Sequence, residues 1–264
     1  MPRTRLGSLT TRTPPTGPPP LTLETYAAFA REAKIDHCVI VHSEVYQDDH
    51  RYLEYAFEHE PSPGFFKGTC LFDPIDPKTP DRMQELVRKL PGRIVGIRIH
   101  EMHPRGTPPT TTGPMRDRDM RSEEMKNTWR KASDLGLIVQ MQSIPCYAPQ
   151  VGALASEFRD PRVLIDHLGL PSRGTADEYD DVVKLAKLPG VYMKVSSFKV
   201  EDKPLVRRVY DAFGPDRLIF GGYGTRMAAF EKATALIDQV FDFAPEPERA
   251  KIRGGNAMKL FGFR

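Results

Sequence analysis

From residue 21 onward, short runs of β-branched and apolar residues alternate with longer stretches whose apolar positions recur every three or four residues. This is the pattern of repeated strand–helix units laid around a parallel sheet. The runs that read as strands are His37 to His42, Phe66 to Phe72, Ile94 to His100, Leu137 to Gln142, Val163 to His167, Val191 to Ser196 and Leu218 to Gly222. Helical periodicity covers Thr22 to Ala33, Asp49 to Glu58, Pro80 to Leu90, Ser122 to Leu135, Ala148 to Phe158, Ala176 to Leu188, Pro204 to Phe213 and Met227 to Phe241, with a last helix at Ala250 to Phe261. Local signals agree: Thr22 opens the first helix, Pro204 occupies a first-turn position, and Gly136 closes the helix before Leu137.

The fold class these elements predict is α/β, a (β/α)8 barrel of the TIM type, which 264 residues can build as one unit. The first helix precedes every clear strand, so an eighth strand has to lie before Thr22. Arg3 to Thr11 is the stretch that could supply it, and it is basic and weakly apolar. The first strand therefore reads as missing or degenerate, residues 1–20 as a Pro/Thr-rich N-terminal extension, and residues 21–264 as the barrel domain. The Pro-, Thr- and Arg-rich segment Glu101 to Arg121 is too long for an ordinary turn and reads as a lid over the barrel mouth.

Composition narrows the function classes. Hydrophobic residues at 39% and charged residues at 28% describe a globular chain with a core. The net charge of +3 is small and the basic residues are interspersed with acidic ones, which gives no support to nucleic-acid binding. There is no apolar run of about 18 residues and no signal-like stretch in Met1 to Pro20, so the expectation is a soluble cytoplasmic protein that does not enter a membrane. Three widely spaced cysteines without a Cys-x-x-Cys read as reduced thiols, and Cys146, just past a strand, lacks an adjacent base to make it a nucleophile. A homo-oligomer stays open.

In a parallel barrel the outer face of each strand lies under helices and must be apolar, so alternating polar residues point to the axis. Arg98 and His100 alternate with isoleucines, Gln140 and Gln142 with Val139 and Met141, and Lys194 and Ser196 with Met193 and Val195. Three strands thus aim polar groups into one interior. In Val163 to His167 the same parity puts His167 on the face of Ile165 and sends Asp166 to the other. His42, His100 and His167 end their strands, at the C-terminal rim where barrel enzymes carry out chemistry. Each alone could be a satisfied core histidine, just as Lys194 could serve only an internal ion pair.

Several strings, taken in order, resemble the amidohydrolase-related branch of the amidohydrolase superfamily, the group that takes in 2-pyrone-4,6-dicarboxylate hydrolase. They are Ile35 to His42 followed by Val45-Tyr46 and Asp49, then Val95-Gly96-Ile97-Arg98, then Ile165-Asp166-His167-Leu168-Gly169-Leu170-Pro171. Val191 to Ser196, Phe213 to Gly221 and Gly255 to Gly262 complete the set, which covers about residues 22 to 264. The resemblance implies a TIM-like barrel and, ordinarily, a divalent metal such as zinc. The chain departs from it in ways that bear on that metal. It contains no His-x-His, the family's strand-five histidine falls at Gln142, and the aspartate expected two residues after Gly221 is Tyr223. A lost N-terminal segment carrying His-x-His would leave the last two departures in place.

With those ligands missing, no metal or other cofactor is expected. His42, His100, His103 and His167 come from positions spread around the barrel, and His100-Glu101-Met102-His103 lies at a strand end rather than on a helix as a zincin motif requires. Binding and acid–base chemistry remain. His167, His100 and Tyr223 are the candidate catalytic residues, with imidazole as a general base. Arg98, Lys194, His42, Tyr46, Gln142 and Ser196 are the candidate substrate-binding residues, with Arg105 or Arg173 on the rim as further cations, and the cationic set favours a small anionic substrate. The expected activity is hydrolysis of a small anionic cyclic ester, a lactone, or a related carboxylate without a tightly bound metal. The alternatives are a catalytically silent barrel that binds an acidic ligand or partner, and a decarboxylase, since the resembled superfamily supports that reaction too.

Overall fold

The computed structural model describes residues 22–103, 118–158, 160–222 and 226–263. Seven strands form one parallel sheet in chain order: β1 (Cys38–Val41), β2 (Phe66–Leu71), β3 (Ile94–Glu101), β4 (Ile138–Ser143), β5 (Val163–Ile165), β6 (Val191–Val195) and β7 (Leu218–Phe220). The helices are α1 (Leu23–Glu32), α2 (Arg51–Glu58), α3 (Thr79–Lys89), α4 (Glu123–Asp134), α5 (Ala148–Glu157), α6 (Ala176–Lys184), α7 (Lys203–Phe213), α8 (Met227–Val240), α9 (Glu246–Ala250) and α10 (Asn256–Phe261). The result is a curled sheet wrapped by helices, a TIM-like barrel. All seven strands lie where the sequence puts them. The last helix does not run unbroken from Ala250, because a π-turn over Lys251–Gly255 joins α9 to α10.

Helix starts follow local chemistry. Thr22 and Ser122 accept from the backbone N–H groups of Thr25 and Met125, and Thr175 with Glu178 closes a reciprocal capping box, each satisfying donors that the first turn would otherwise leave unpaired. Gly214, at φ 74°, stops α7 in a conformation that side-chain-bearing residues avoid.

The side-chain alternation then builds two separate apolar regions. Ile97, Ile99, Val139, Met141, Ile165 and Met193 face outward and pack under the helices against Met83, Trp129 and Val151. Ile138, Leu164 and Ile219 belong to the inner face and form a smaller cluster with Leu260 and Phe261 of α10. The barrel is therefore plugged at its base by its own C-terminus. Lys67 fastens that plug by donating to the carbonyls of Phe261 at 2.8 Å and Gly262 at 2.7 Å. Asn256 adds hydrogen bonds to the carbonyls of Pro215 at 2.7 Å and Leu218 at 2.9 Å. No helix among the described residues is long and apolar enough to cross a membrane.

Candidate functional site

Above the apolar base, three inward side chains from β3, β4 and β6 meet at one carboxylate at the end of β5. Asp166 is fully buried; its Oδ2 accepts from Arg98 Nη2 at 2.9 Å and Arg98 Nε at 3.1 Å. Its Oδ1 accepts from Gln140 Nε2 at 2.7 Å and lies 3.3 Å from Lys194 Nζ. Burial on its own would raise the Asp166 carboxyl, but the Lys194 and Arg98 charges and the Gln140 amide outweigh it and hold the group below its ordinary value. Two cations against one anion leave this cluster with one net positive charge. Arg98 Nη2 also donates to Gln142 Oε1, while Arg98 Nη1 has no partner among the described residues.

Strand parity holds for Asp166, opposite Ile165, and fails for His167. Ile165 faces out and Asp166 faces in, and His167 reaches the interior too because the strand has already ended at Ile165. From His167 to Leu170 the backbone is left-handed, with φ values of 52°, 55°, 72° and 54°. Three non-glycine residues in that region are unfavourable by roughly 1–3 kcal/mol each and persist where the surroundings hold them. Here the Tyr179 hydroxyl donates to the Leu168 carbonyl at 2.8 Å. Gly169 takes part because a Cβ at that position would come 2.4 Å from Val182 Cγ1. The turn delivers His167 Nδ1 to 2.8 Å from the hydroxyl of buried Ser196. Burial lowers the His167 pKa, with Lys194 and Arg98 adding to the effect against the opposing Asp166, so the ring is neutral at neutral pH.

His100 is on the same inner face but in a different state. It is 3% exposed, neither ring nitrogen has a hydrogen bond among the described residues, and Glu44 Oε2 stands 3.6 Å from Nδ1. Burial, reinforced by Arg98, pushes its pKa down to about 3. The ends of the expected lid are pinned beside it: buried Arg118 bonds Glu101 Oε1 at 2.9 Å, Asp73 Oδ1 at 3.1 Å and the His100 carbonyl at 3.0 Å. Residues 104–117, including Arg105, lie outside the described residues, as does Tyr223.

The remaining candidates separate from this cluster. His42 stacks on His50 with ring centroids 4.5 Å apart, and its Nε2 pairs with the Gln47 carbonyl at 2.9 Å. Tyr46 is 44% exposed and stacks on Tyr52. These two therefore form an aromatic group on the loop after β1, occupied with local partners, rather than part of the charged centre. Arg173 is exposed and makes no hydrogen bond or ion pair with that centre. Arg98, Lys194, Gln142, Ser196, His167 and His100 are brought together. Asp166, which parity sends to the face opposite Ile165, is the residue passed over in favour of His167, and Glu44 and Arg118 carried no pattern that could have marked them.

Among the described residues the donors at this centre do not fit a divalent metal. The central carboxylate already receives two cations and an amide, and at 4 Å each cation would repel a doubly charged ion by about 8 kcal/mol at an effective dielectric of 20. No group of three or more histidine, cysteine or acidic side chains could hold a metal ion among the described residues.

The amidohydrolase family model matches residues 11–263 of the chain. No curated protein matches it in sequence. Solved structures share the fold at low identity. A probable 2-pyrone-4,6-dicarboxylic acid hydrolase from Acinetobacter baumannii with citric acid bound superposes with a TM-score of 0.71 at 21% identity, over 92% of this chain and 89% of that one. An amidohydrolase from Burkholderia multivorans with bound zinc gives 0.70 at 17%, over 91% and 88%. A dihydroxybenzoic acid decarboxylase from Polaromonas with bound manganese gives 0.59 at 14%, over 80% and 73%.

Proposed function

Because the chain belongs to the amidohydrolase family, we propose that it hydrolyses a small anionic cyclic ester, or a related carboxylate, in the chamber above the apolar base and without a resident metal. One observation carries this reading: Asp166 neutralises only one of the two cations that touch it, beside a neutral imidazole oriented by Ser196. A substrate carboxylate completes that charge balance, using Arg98 Nη1 and the ammonium protons of Lys194 that do not face Asp166. The citrate in the Acinetobacter structure is a polycarboxylate and is consistent with this chemistry.

Within the bound complex, water adds to the ester carbonyl as the His167 imidazole takes its proton at Nε2, with Nδ1 engaged by the Ser196 hydroxyl. Charge developing on the carbonyl oxygen is stabilised by the nearby cations. The ring C–O bond then breaks, the leaving oxygen receives the proton held by His167, and the product is an open-chain hydroxy acid. Asp166 acts as the anchor that fixes the cations, since a carboxylate held below its ordinary pKa is a poor base.

A panel of carboxylated lactones and aromatic carboxylates tests the proposal, each assayed with and without chelator. Ring opening that survives chelation and falls at least about 100-fold in His167→Ala supports it. Release of carbon dioxide instead assigns a decarboxylase, and ligand binding without turnover assigns a silent barrel.

A further inference from the structure

Exposed apolar side chains gather at one place on the surface. Val45, Tyr46, Tyr52 and Tyr55 stand exposed on the turn after β1 and on α2, and Val200 is the one other exposed large hydrophobic side chain among the described residues. The rings are already ordered. Tyr46 and Tyr52 stack with their planes 5° apart, and Tyr55 lies on His59 with centroids 4.1 Å apart while its hydroxyl donates to Glu24 Oε1 at 3.2 Å. Rings held in place in this way lose little freedom when a partner covers them, and a contiguous exposed patch marks an interaction surface.

The charges beside the patch say what the partner is. Arg51, Tyr55 and Glu58 follow at i, i+4 and i+7 on α2, so they form one exposed stripe with the ring in the middle. Arg51 is the first residue of the helix and Glu58 the last, the reverse of what the helix dipole favours at either end. Glu54 is taken up by Lys89 of α3 at 2.6 Å and Arg51 pairs at the surface with its neighbour Asp49, whereas Glu58 makes no ion pair among the described residues. An antiparallel copy of the same stripe corrects both ends together. Across a two-fold axis at Tyr55 the two Tyr55 rings meet, and each Arg51 faces the Glu58 of the other copy. A parallel copy would instead set Arg51 against Arg51. The two-fold arrangement is also closed, so assembly stops at two.

We propose that the chain forms a two-fold homodimer through the exposed stripe of α2 and the neighbouring Val45–Tyr46 turn, with the tyrosines as its apolar centre and Arg51 and Glu58 as the charges that set its direction. Tyrosine and arginine are the residues on which such interfaces most often depend. Glu44 belongs to the same turn as Val45 and Tyr46, and its carboxylate stands 3.6 Å from His100 Nδ1. A partner seated on the turn therefore also steadies the carboxylate beside the chamber.

Sedimentation of the full-length protein over the micromolar range tests this without any substrate, so it stands or falls separately from the hydrolase reading. The parent should sediment as a dimer that dissociates on dilution, and Tyr55→Asp should weaken it at least about ten-fold. Arg51→Glu and Glu58→Arg should each weaken it about ten-fold by setting like charges against each other, and the double variant should return to within about three-fold of the parent. That rescue is the decisive reading, because a merely local role of either charge on α2 would not produce it. Circular dichroism checks that each variant is folded; if Tyr55→Asp is not, the charge series decides alone. A parent that stays monomeric overturns the proposal, as does a dimer indifferent to these variants or a double variant no better than the singles. So does a monomer whose patch tyrosines resist modification equally at every dilution, which would assign the patch to another segment of the same chain.

Discussion

Arg98 and Asp166 are 68 positions apart in sequence and joined by two hydrogen bonds to a single carboxylate oxygen, at 2.9 and 3.1 Å. That geometry alters what a substitution of Arg98 does. The guanidinium is a candidate for carboxylate binding, but it is also committed to the interior. Asp166→Asn should destabilise by about 3–5 kcal/mol, because it strands two poorly solvated cations. Arg98→Met should also destabilise, though the Lys194 contact keeps Asp166 partnered. In a double-mutant cycle measured by urea unfolding, the two should show a coupling of about 1–3 kcal/mol. Additive effects would mean that the pair does not act as a unit.

Gly221 offers a way to disturb the cations without removing one. A Cβ there would stand 2.5 Å from Lys194 Cε and 3.1 Å from Ser196 Cβ. Gly221→Ala should therefore push the ammonium from its place beside Asp166 while the flexible stem accommodates the methyl group. Calorimetry with a carboxylate ligand should show affinity weakened about ten-fold with a thermal midpoint within a few degrees of the parent.

Acid should weaken the fold before its carboxylates titrate. His100 and His50, pushed down to about 3 and about 4 chiefly by burial, stay neutral in the folded chain where an unfolded histidine, with a pKa near 6.5, takes a proton. The unfolded state then binds more protons, so stability falls as pH drops from about 6.5 toward 4, by up to about 1.4 kcal/mol per pH unit for each histidine. Asp166, whose pKa is lowered, contributes stability that is lost only further down, below the ordinary carboxylate value. Urea midpoints across pH 4 to 7 should slope less in His100→Gln; an unchanged slope would exclude His100 as a source.

Activity should follow a different group. If neutral His167 is the base, kcat/KM should hold on the acid side to below the ordinary imidazole value, because burial lowers this pKa. A limb above about 7 would point to another residue.

The base of the barrel should matter to stability alone. Lys67→Met removes both bonds to the Phe261 and Gly262 carbonyls, and should lower stability by about 1–3 kcal/mol with ligand affinity unchanged. A parallel loss of affinity would mean that the plug supports the chamber directly.

The fold was legible because strand faces under helices tolerate so little polarity: Ile97, Ile99, Val139 and Met141 mark β3 and β4 as plainly as their hydrogen bonds do. The inward direction of Arg98, Gln142 and Lys194 followed from the same rule. The rule failed one residue past its domain. Period-two alternation holds only while the chain is extended, and at His167 four consecutive left-handed residues break it. What signal there was lay in Gly169, whose positive φ marks the turn, but the sequence did not show that Leu168 and Leu170 would adopt the same conformation. His42 misled for another reason: a strand-end histidine reads as a mouth residue, and nothing in the spacing announces that His50 will stack on it.

The chamber has one property that any ligand will feel. Its central charges come from Arg98, Lys194 and Asp166, while burial holds both of its imidazoles, His100 and His167, below the ordinary histidine value. Across the neutral range the pocket thus presents a constant electrostatic potential. A change in binding strength with pH over that interval reports the ionisation of the guest, and titrating a series of weak acids against the protein would rank them by their own proton affinities.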